Sequence, residues 1–315
     1  MLISLIVPCY NEEESLPILY KALTDVRSEV KDKTFEFIFV NDGSRDNTLK
    51  VIKELAAGDP CVNYVSFSRN FGKEAAMYAG LEHSKGEYVA ILDADMQDPP
   101  SLIPSMIKDL DDDVADIVAA RRVTREGEPK IRSFFARTFY KLINKMCEVE
   151  IADGARDFRL MKRPVVDAIL EVNERQRFSK GIFAWVGFRT KWVEHQNVER
   201  VAGETKWSFW KLLSYAIDGI VSFTVAPMRL ATYCGFASAL AAFLYMLYYF
   251  IRAVIMRIYD TVPGYPSLLC FILFIGGLVL MALGLLGEYI GRTFIEVKRR
   301  PIYIVADKNT NKRDR

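Results

Sequence analysis

Tyr88-Val89-Ala90-Ile91-Leu92-Asp93-Ala94-Asp95 joins an unbroken apolar run to two carboxylates one residue apart. A short apolar run of this kind fits a strand buried on both faces, which puts the acidic pair at the strand's exit. Hard cations such as Mg2+ take oxygen ligands and usually only one or two protein carboxylates, with water and phosphate oxygens filling the rest of the shell. Taken alone, Asp-x-Asp reads equally as a helix cap or an Asx turn, and its surroundings have to decide.

Working outward, Leu2–Val7, Phe35–Val40, Val62–Phe67 and Ile117–Ala120 also read as strands. Helices are expected between them over Glu13–Glu29, Asn47–Ala57, Glu74–Glu82 and Ser101–Leu110. This βαβ series predicts an α/β fold with a mostly parallel, Rossmann-like sheet whose ligands sit at the carboxyl ends of the strands. Polar clusters fall at those ends: Pro8-Cys9-Tyr10-Asn11-Glu12, Asn41-Asp42-Gly43-Ser44, Ser68-Arg69-Asn70 and then Asp93-Ala94-Asp95. Four such clusters favour the metal reading of the acidic pair. Asp42-Gly43 also suits a tight turn, which would aim the carboxylate, and Tyr10 also suits a half-buried core aromatic.

The chain has 315 residues, 51% of them hydrophobic, and a net charge of +2, enough for one sizeable domain plus an appendage. Its apolar content concentrates near the end: Leu230 to Ile251 carries no charge, and neither does Thr261 to Gly287. Each stretch reaches the roughly 20 residues that a helix needs to cross about 30 Å of hydrocarbon, so two transmembrane helices are expected. Arg229 before the first stretch, and Arg292, Lys298, Arg299 and Arg300 after the second, put both flanks on the cytoplasmic side. Arg252 and Arg257 in the connection weigh weakly the other way. Met1-Leu2-Ile3-Ser4 does not read as a signal peptide. The five cysteines are scattered without disulfide or metal spacing, which suits a reducing compartment.

Between sheet and spans, Lys130–Met146 places Ile131, Phe134, Phe135, Phe139, Leu142, Ile143 and Met146 on one helical stripe with basic residues around it. A basic amphipathic helix of this kind can lie in the interface of an anionic membrane, the alternative being an ordinary surface helix packing on its own domain. In a membrane-anchored chain the interfacial reading is the one expected. Phe209–Val225 reads as a second interfacial helix. The organisation expected is a cytoplasmic catalytic domain over 1–207, including the amphipathic helix at about 130–146. An interfacial helix at 208–228, two transmembrane helices within 229–291 and a basic cytoplasmic tail at 292–315 complete it.

Val7-Pro8-Cys9-Tyr10-Asn11-Glu12, Val40-Asn41-Asp42-Gly43-Ser44-Arg45-Asp46, Leu92-Asp93-Ala94-Asp95-Met96-Gln97-Asp98-Pro99-Pro100 and Asp157-Phe158-Arg159-Leu160-Met161, in this order and with the membrane tail, resemble a family 2 glycosyltransferase of the polyprenyl-phosphate type. With its two C-terminal spans the chain is similar to bacterial undecaprenyl-phosphate glucosyltransferases, relatives of dolichyl-phosphate mannose synthase. The resemblance implies a GT-A fold in which Pro8, Tyr10, Glu12 and Asp42 hold the nucleoside of a nucleotide-sugar. Asp93 and Asp95 would hold Mg2+ or Mn2+ on its diphosphate, with Gln97 nearby. It also points to Asp157 as the catalytic carboxylate, conventionally a general base. A lipid monophosphate is already largely a dianion at neutral pH, its second pKa being about 6. Asp157 then has three further readings: orienting the acceptor, positioning an arginine, or taking the last proton from the monoanion. A plain salt bridge to Arg156 or Arg159 is the structural alternative.

An anionic acceptor beside an anionic donor needs cations, and Arg121, Arg122, Arg132, Arg200 and Lys206 are the candidates, each of which reads equally as a solvated charge. His83 and His195 read as structural. The expected reaction is transfer of one sugar, glucose by the nearest subgroup, from a nucleotide-sugar such as a UDP-sugar to a polyprenyl phosphate at the cytoplasmic membrane face. Nucleic acid is not expected as a partner. Gly276-Gly277 and Gly284 admit close packing in a homo-oligomer. A processive polysaccharide synthase would show more spans and a Gln-x-x-Arg-Trp motif, which Gln176-Arg177-Phe178 does not match. A non-catalytic membrane scaffold would have no need to keep Asp93, Asp95 and Asp157.

Overall fold

The structure is a computed structural model, and it describes residues 1–122, 154–195, 224, 226–251, 265–310 and 312. It divides into two compact units, Met1–Gly219 with Arg300–Arg315, and Ile220–Arg299.

The first unit is an α/β domain. Strands β1 (Leu2–Cys9), β2 (Thr34–Asn41), β3 (Val62–Phe67), β4 (Tyr88–Ile91) and β5 (Ile117–Arg122) fall where the apolar runs predict them, with β1, β2 and β5 extended by up to two residues at an end and β4 one residue shorter. Helices α1 (Leu16–Glu29), α2 (Thr48–Gly58), α3 (Lys73–His83) and α4 (Ile103–Asp111) alternate with them. Helix α1 starts three residues later than the periodicity predicts because Pro17 sits in its first turn, where the missing N–H costs nothing.

Three further strands join the sheet: β6 (Ala155–Lys162), β7 (Thr190–His195) and β8 (Val305–Lys308). The order is β7-β5-β6-β4-β1-β2-β3-β8. Pairs β1·β2, β1·β4, β2·β3 and β5·β7 are parallel, whereas β6 runs antiparallel between β4 and β5 and β8 runs antiparallel on β3. The sheet is therefore parallel through its centre. The chain leaves β1 toward β2 and β3 on one side and places β4 on the other, so a switch point opens between the exits of β1 and β4.

Both faces of the central strands are buried. Ile3, Leu5 and Val7 enter a core with Phe37, Phe39, Leu19, Leu23 and Phe158, each large side chain being worth about 1.5–3 kcal/mol of burial. On the opposite face, α3 lies so close to β1 that a Cβ on Gly80 would stand 2.1 Å from Ile6 Cγ2. Ala75, Ala76, Ala79 and Gly80 on α3 allow that approach, which fixes the end of the helix from which Lys73 projects. Helices α5 (Arg163–Glu171) and α6 (Ser179–Trp185) complete this part of the chain.

The tail expected at 292–315 contains β8. Asn309 Oδ1 accepts from Tyr64 N at 2.5 Å and Asn309 Nδ2 donates to Val62 O at 3.1 Å, while Tyr303 stacks on Phe67 with ring centroids 4.8 Å apart. A four-residue strand carrying Asp307 and Lys308 offers too little alternation to be read as one from sequence.

The second unit contains helices α7 (Ala226–Phe250) and α8 (Tyr265–Val297). Tyr245 stacks on Phe271, and Tyr289 donates to Thr224 O at 2.7 Å. Helix α8 runs ten residues beyond Gly287, where the uncharged stretch ends, because Glu288 and Arg292 pair along the helix at 3.1 Å and do not break it. Among the described residues one segment, Phe274–Val297, is long and apolar enough to cross a membrane. The expected amphipathic helix at 130–146 lies outside the described residues, and so does the interfacial stretch at 208–228 up to its last residues, which open α7.

Candidate active site

The four polar clusters come together at the carboxyl end of the sheet. The exits of β1 and β2 are laced to each other: Asn11 Oδ1 accepts from Arg45 N at 2.9 Å, Asn11 N donates to Ser44 Oγ at 3.0 Å, and Glu12 N donates to Thr48 Oγ1 at 2.8 Å. Asn11 adopts φ 56°, a left-handed conformation that asparagine tolerates better than most residues. Pro8, Tyr10 and Glu12 lie on this rim, half-buried, with Glu12 accepting from Ser15 Oγ at 2.6 Å.

Asp42 has a more specific task. It is 3% exposed, and its carboxylate accepts from Phe71 N at 2.6 Å and from Gly72 N at 3.0 Å. Burial pushes its pKa up to about 6 against the pull of those two amides. The neighbouring Gly43 has φ 62°, and a Cβ there would lie 2.3 Å from the Arg69 carbonyl carbon. The turn after β2 is thus pressed onto the loop after β3, and Asp42 holds the last two residues before α3.

Lys73 opens that helix and sits at the centre of the site. Its Nζ lies 2.6 Å from Asp93 Oδ1, 2.9 Å from Asp93 Oδ2 and 2.5 Å from Asp157 Oδ2. Burial would raise the Asp157 carboxyl, but Lys73, then Lys180 and Arg159, hold it well below the usual carboxylate range. Asp93 moves the other way, raised by burial and by the charges of Asp157 and Asp95 against the pull of Lys73. On Lys73 itself desolvation is overridden by Asp157 and Asp93, so its ammonium is held firmly charged.

After Asp93 the chain turns sharply. Asp95 Oδ1 accepts from Gln97 N at 3.1 Å, across Met96 at φ 59°. A non-glycine residue in that region marks a turn held by its surroundings. Gln97 Oε1 accepts from Arg156 Nη2 at 3.1 Å, and Arg156 Nε donates to the fully buried Asp98 at 3.0 Å. Burial would raise Asp98, and hydrogen bonding from His195 with the charge of Arg156 lowers it instead.

Neither arginine beside Asp157 pairs with its carboxylate. Arg156 goes to Asp98, while Arg159, 3% exposed, donates to Arg156 O at 2.8 Å and lies 3.6 Å from the Phe183 ring centroid. The guanidinium thus braces the backbone on either side of Asp157. Glu74 ties the same helix end to α6 by accepting from Ser179 N at 3.1 Å.

Sequence reasoning therefore brings Asp93, Asp95, Gln97, Asp42 and Asp157 to one place and misses Lys73, Arg156, Asp98 and His195. His195, read as structural, has a partner far away in sequence: its Nε2 lies 3.1 Å from Asp98 Oδ1. Lys73 follows the Asn70-Phe71-Gly72 turn, and a lone lysine at a helix start carries no signal of its own. Arg121 and Arg122 end β5, Arg121 in register with Ala155 of β6. Arg132, Arg200 and Lys206 lie outside the described residues.

The donor set suits a hard divalent cation. Asp93 and Asp95 would offer it carboxylate oxygens, and Lys73 lies 2.6 Å from Asp93. Among the described residues no three His, Cys, Asp or Glu side chains gather as a metal site.

Residues 4–170 match the profile of glycosyl transferase family 2, and residues 226–293 match the GtrB C-terminal hairpin. The chain is similar to the prophage bactoprenol glucosyl transferase homolog of Escherichia coli K12, 46% identical over 97% of this chain and 98% of that protein. It is 45% identical to the bactoprenol glucosyl transferase of Shigella phage SfV, over 98% of this chain and 99% of that one. Among solved structures, glucosyl-3-phosphoglycerate synthase of Mycobacterium tuberculosis, in complex with Mn2+, UDP-glucose and phosphoglyceric acid, covers 70% of this chain and 77% of its own at 19% identity, with a TM-score of 0.45.

Proposed function

Since the chain belongs to glycosyl transferase family 2, we propose that it transfers one glucose from UDP-glucose to a polyprenyl phosphate at the cytoplasmic face of a membrane. The names of relatives alike over nearly the whole length support the sugar and the lipid class. The observation that carries the chemistry is the bridge from Asp93 through Lys73 to Asp157, at the switch point where sheets of this kind bind ligands.

An oxygen of the acceptor phosphate attacks the anomeric carbon, the bond from that carbon to the diphosphate breaks, and the configuration inverts. A divalent cation, Mg2+ or Mn2+, held by Asp93 and Asp95 would offset the charge developing on the departing diphosphate, an effect worth several kcal/mol. Asp157 has little to do as a base. Lys73 holds it ionised, a carboxylate held so low accepts protons poorly at neutral pH, and the nucleophile is already anionic. Its part is to orient, with Lys73 as partner and Arg159 bracing its backbone. Tyr10, Glu12 and Pro8 form the rim that takes the nucleoside, and Arg121 with Arg122, Arg132, Arg200 and Lys206 supplies the acceptor side.

The membrane part of the proposal is that α7 and α8 cross as a pair, with the catalytic domain and both termini cytoplasmic. Helix α8 ends at Val297, and β8 then pairs with β3 of the catalytic sheet. A chain that returns to its own sheet must cross an even number of times.

The test uses purified full-length protein in detergent, radiolabelled nucleotide-sugars tried singly, and polyprenyl phosphate as acceptor. A lipid-linked monosaccharide formed from UDP-glucose, and lost with a chelator and in Asp95→Ala, is the expected result. Polymer as product would point to a processive synthase, and no turnover with any donor would overturn the enzymatic reading.

A further inference from the structure

The site already holds a cation of its own. Lys73 engages both oxygens of Asp93, at 2.6 and 2.9 Å, so a divalent ion cannot take that carboxylate without displacing or crowding the ammonium. The backbone beneath Lys73 cannot shift to make room. Gly72 is bonded to Asp42, Gly43 abuts Arg69, and Gly80 lies against Ile6. What can move is the side chain, which is 43% exposed and has Asp157 as a second carboxylate to keep when Asp93 is given up.

Resting on the glycosyltransferase reading, we propose that Lys73 is a resident counter-cation that competes with the divalent metal for Asp93 and makes metal binding depend on arrival of the nucleotide diphosphate. Without an anionic ligand, metal and ammonium repel each other across one carboxylate. A diphosphate supplies negative charge that both can share, so the handover becomes favourable only when donor and metal come together. Lys73 is then a positioning residue, still tied to Asp157 and set beside the leaving diphosphate. A site empty of donor would hold metal weakly.

The measurement is Mn2+ binding to the full chain in detergent, read by electron paramagnetic resonance of free Mn2+, with and without UDP. In Lys73→Met, Mn2+ alone should bind about two- to fivefold tighter, the size of one partly exposed ion pair. The enhancement by UDP should shrink by a similar factor. Lys73→Gln, which keeps a polar end, should behave alike, so a misfolded Lys73→Met would not leave the question open. Mn2+ binding alone that is unchanged or weaker in the folded variants, with wild type still binding Mn2+ in a UDP-dependent way, would overturn the proposal by itself. Wild type that binds no Mn2+ even with UDP would overturn the donor-site reading, and the proposal with it.

Discussion

Replacing Asp42 by asparagine should change the sign of its effect with pH. The carboxyl is pushed from its ordinary 3.8 up to about 6 by burial, a difference equivalent to about 3 kcal/mol between the two protonation states. Between about pH 4 and 6 the folded chain keeps a proton that the unfolded chain releases, so stability falls as pH rises through that window and levels off above it. Asparagine mimics the protonated form but replaces one of the two acceptor oxygens facing Phe71 and Gly72, a loss of about 1 kcal/mol. At pH 4 the variant should therefore be less stable by about 1 kcal/mol, and at pH 8 more stable by about 1–2 kcal/mol. At about 2–4 °C per kcal/mol for a domain of this size, thermal unfolding in detergent resolves both. Other groups titrate in the same range, but they cancel in the difference between wild type and variant. An Asp42→Asn effect of the same sign and size at pH 4 and pH 8 would refute the argument that burial of this charge, and not its two amide bonds, sets its energy.

Asp157→Asn should cost turnover by the same factor at every pH from 5 to 8, because Lys73 keeps the wild-type carboxyl ionised throughout; a loss that shrinks as the acceptor phosphate deprotonates would restore the base. Gly43→Ala combines a left-handed φ with a Cβ 2.3 Å from backbone, and should destabilise the domain by about 3 kcal/mol or more, read as a fall in melting temperature with loss of UDP binding. Asn309→Ala removes both side-chain bonds to β3 and should cost about 1–3 kcal/mol, seen as faster proteolysis of the C-terminal segment.

The parallel centre of the sheet was legible because β1 to β4 are largely buried and hence read as apolar runs, and because their polar exits share one end. The antiparallel insertion was not. In Ala155-Arg156-Asp157-Phe158-Arg159-Leu160-Met161-Lys162 four charges hide a strand, and those charges are there because β6 carries Asp157 and the arginines that brace it. Lys73, Arg156, Asp98 and His195 come from four different segments, and nothing local to any of them announces the others. Of the two chain neighbours offered as salt-bridge partners for Asp157, Arg156 is one residue away and so belongs to the opposite face of the strand, where it meets Asp98. Arg159 shares the face of Asp157 but spends its guanidinium on the Arg156 carbonyl and the Phe183 ring.

The strand β8 also sets an order of events during synthesis. Its partner β3 leaves the ribosome some 240 residues earlier, a wait of roughly ten to fifty seconds at about 5–20 residues per second. Until then β3 is an open edge, with Tyr64 and Ser68 lacking the bonds that Asn309 and Ile304 give them, and open edges recruit strands from other chains. The hairpin must be made, and on the membrane reading inserted, before the domain can seal itself. A nascent chain whose hairpin fails to insert would therefore be left with an adhesive flank, marking it for chaperones or proteases.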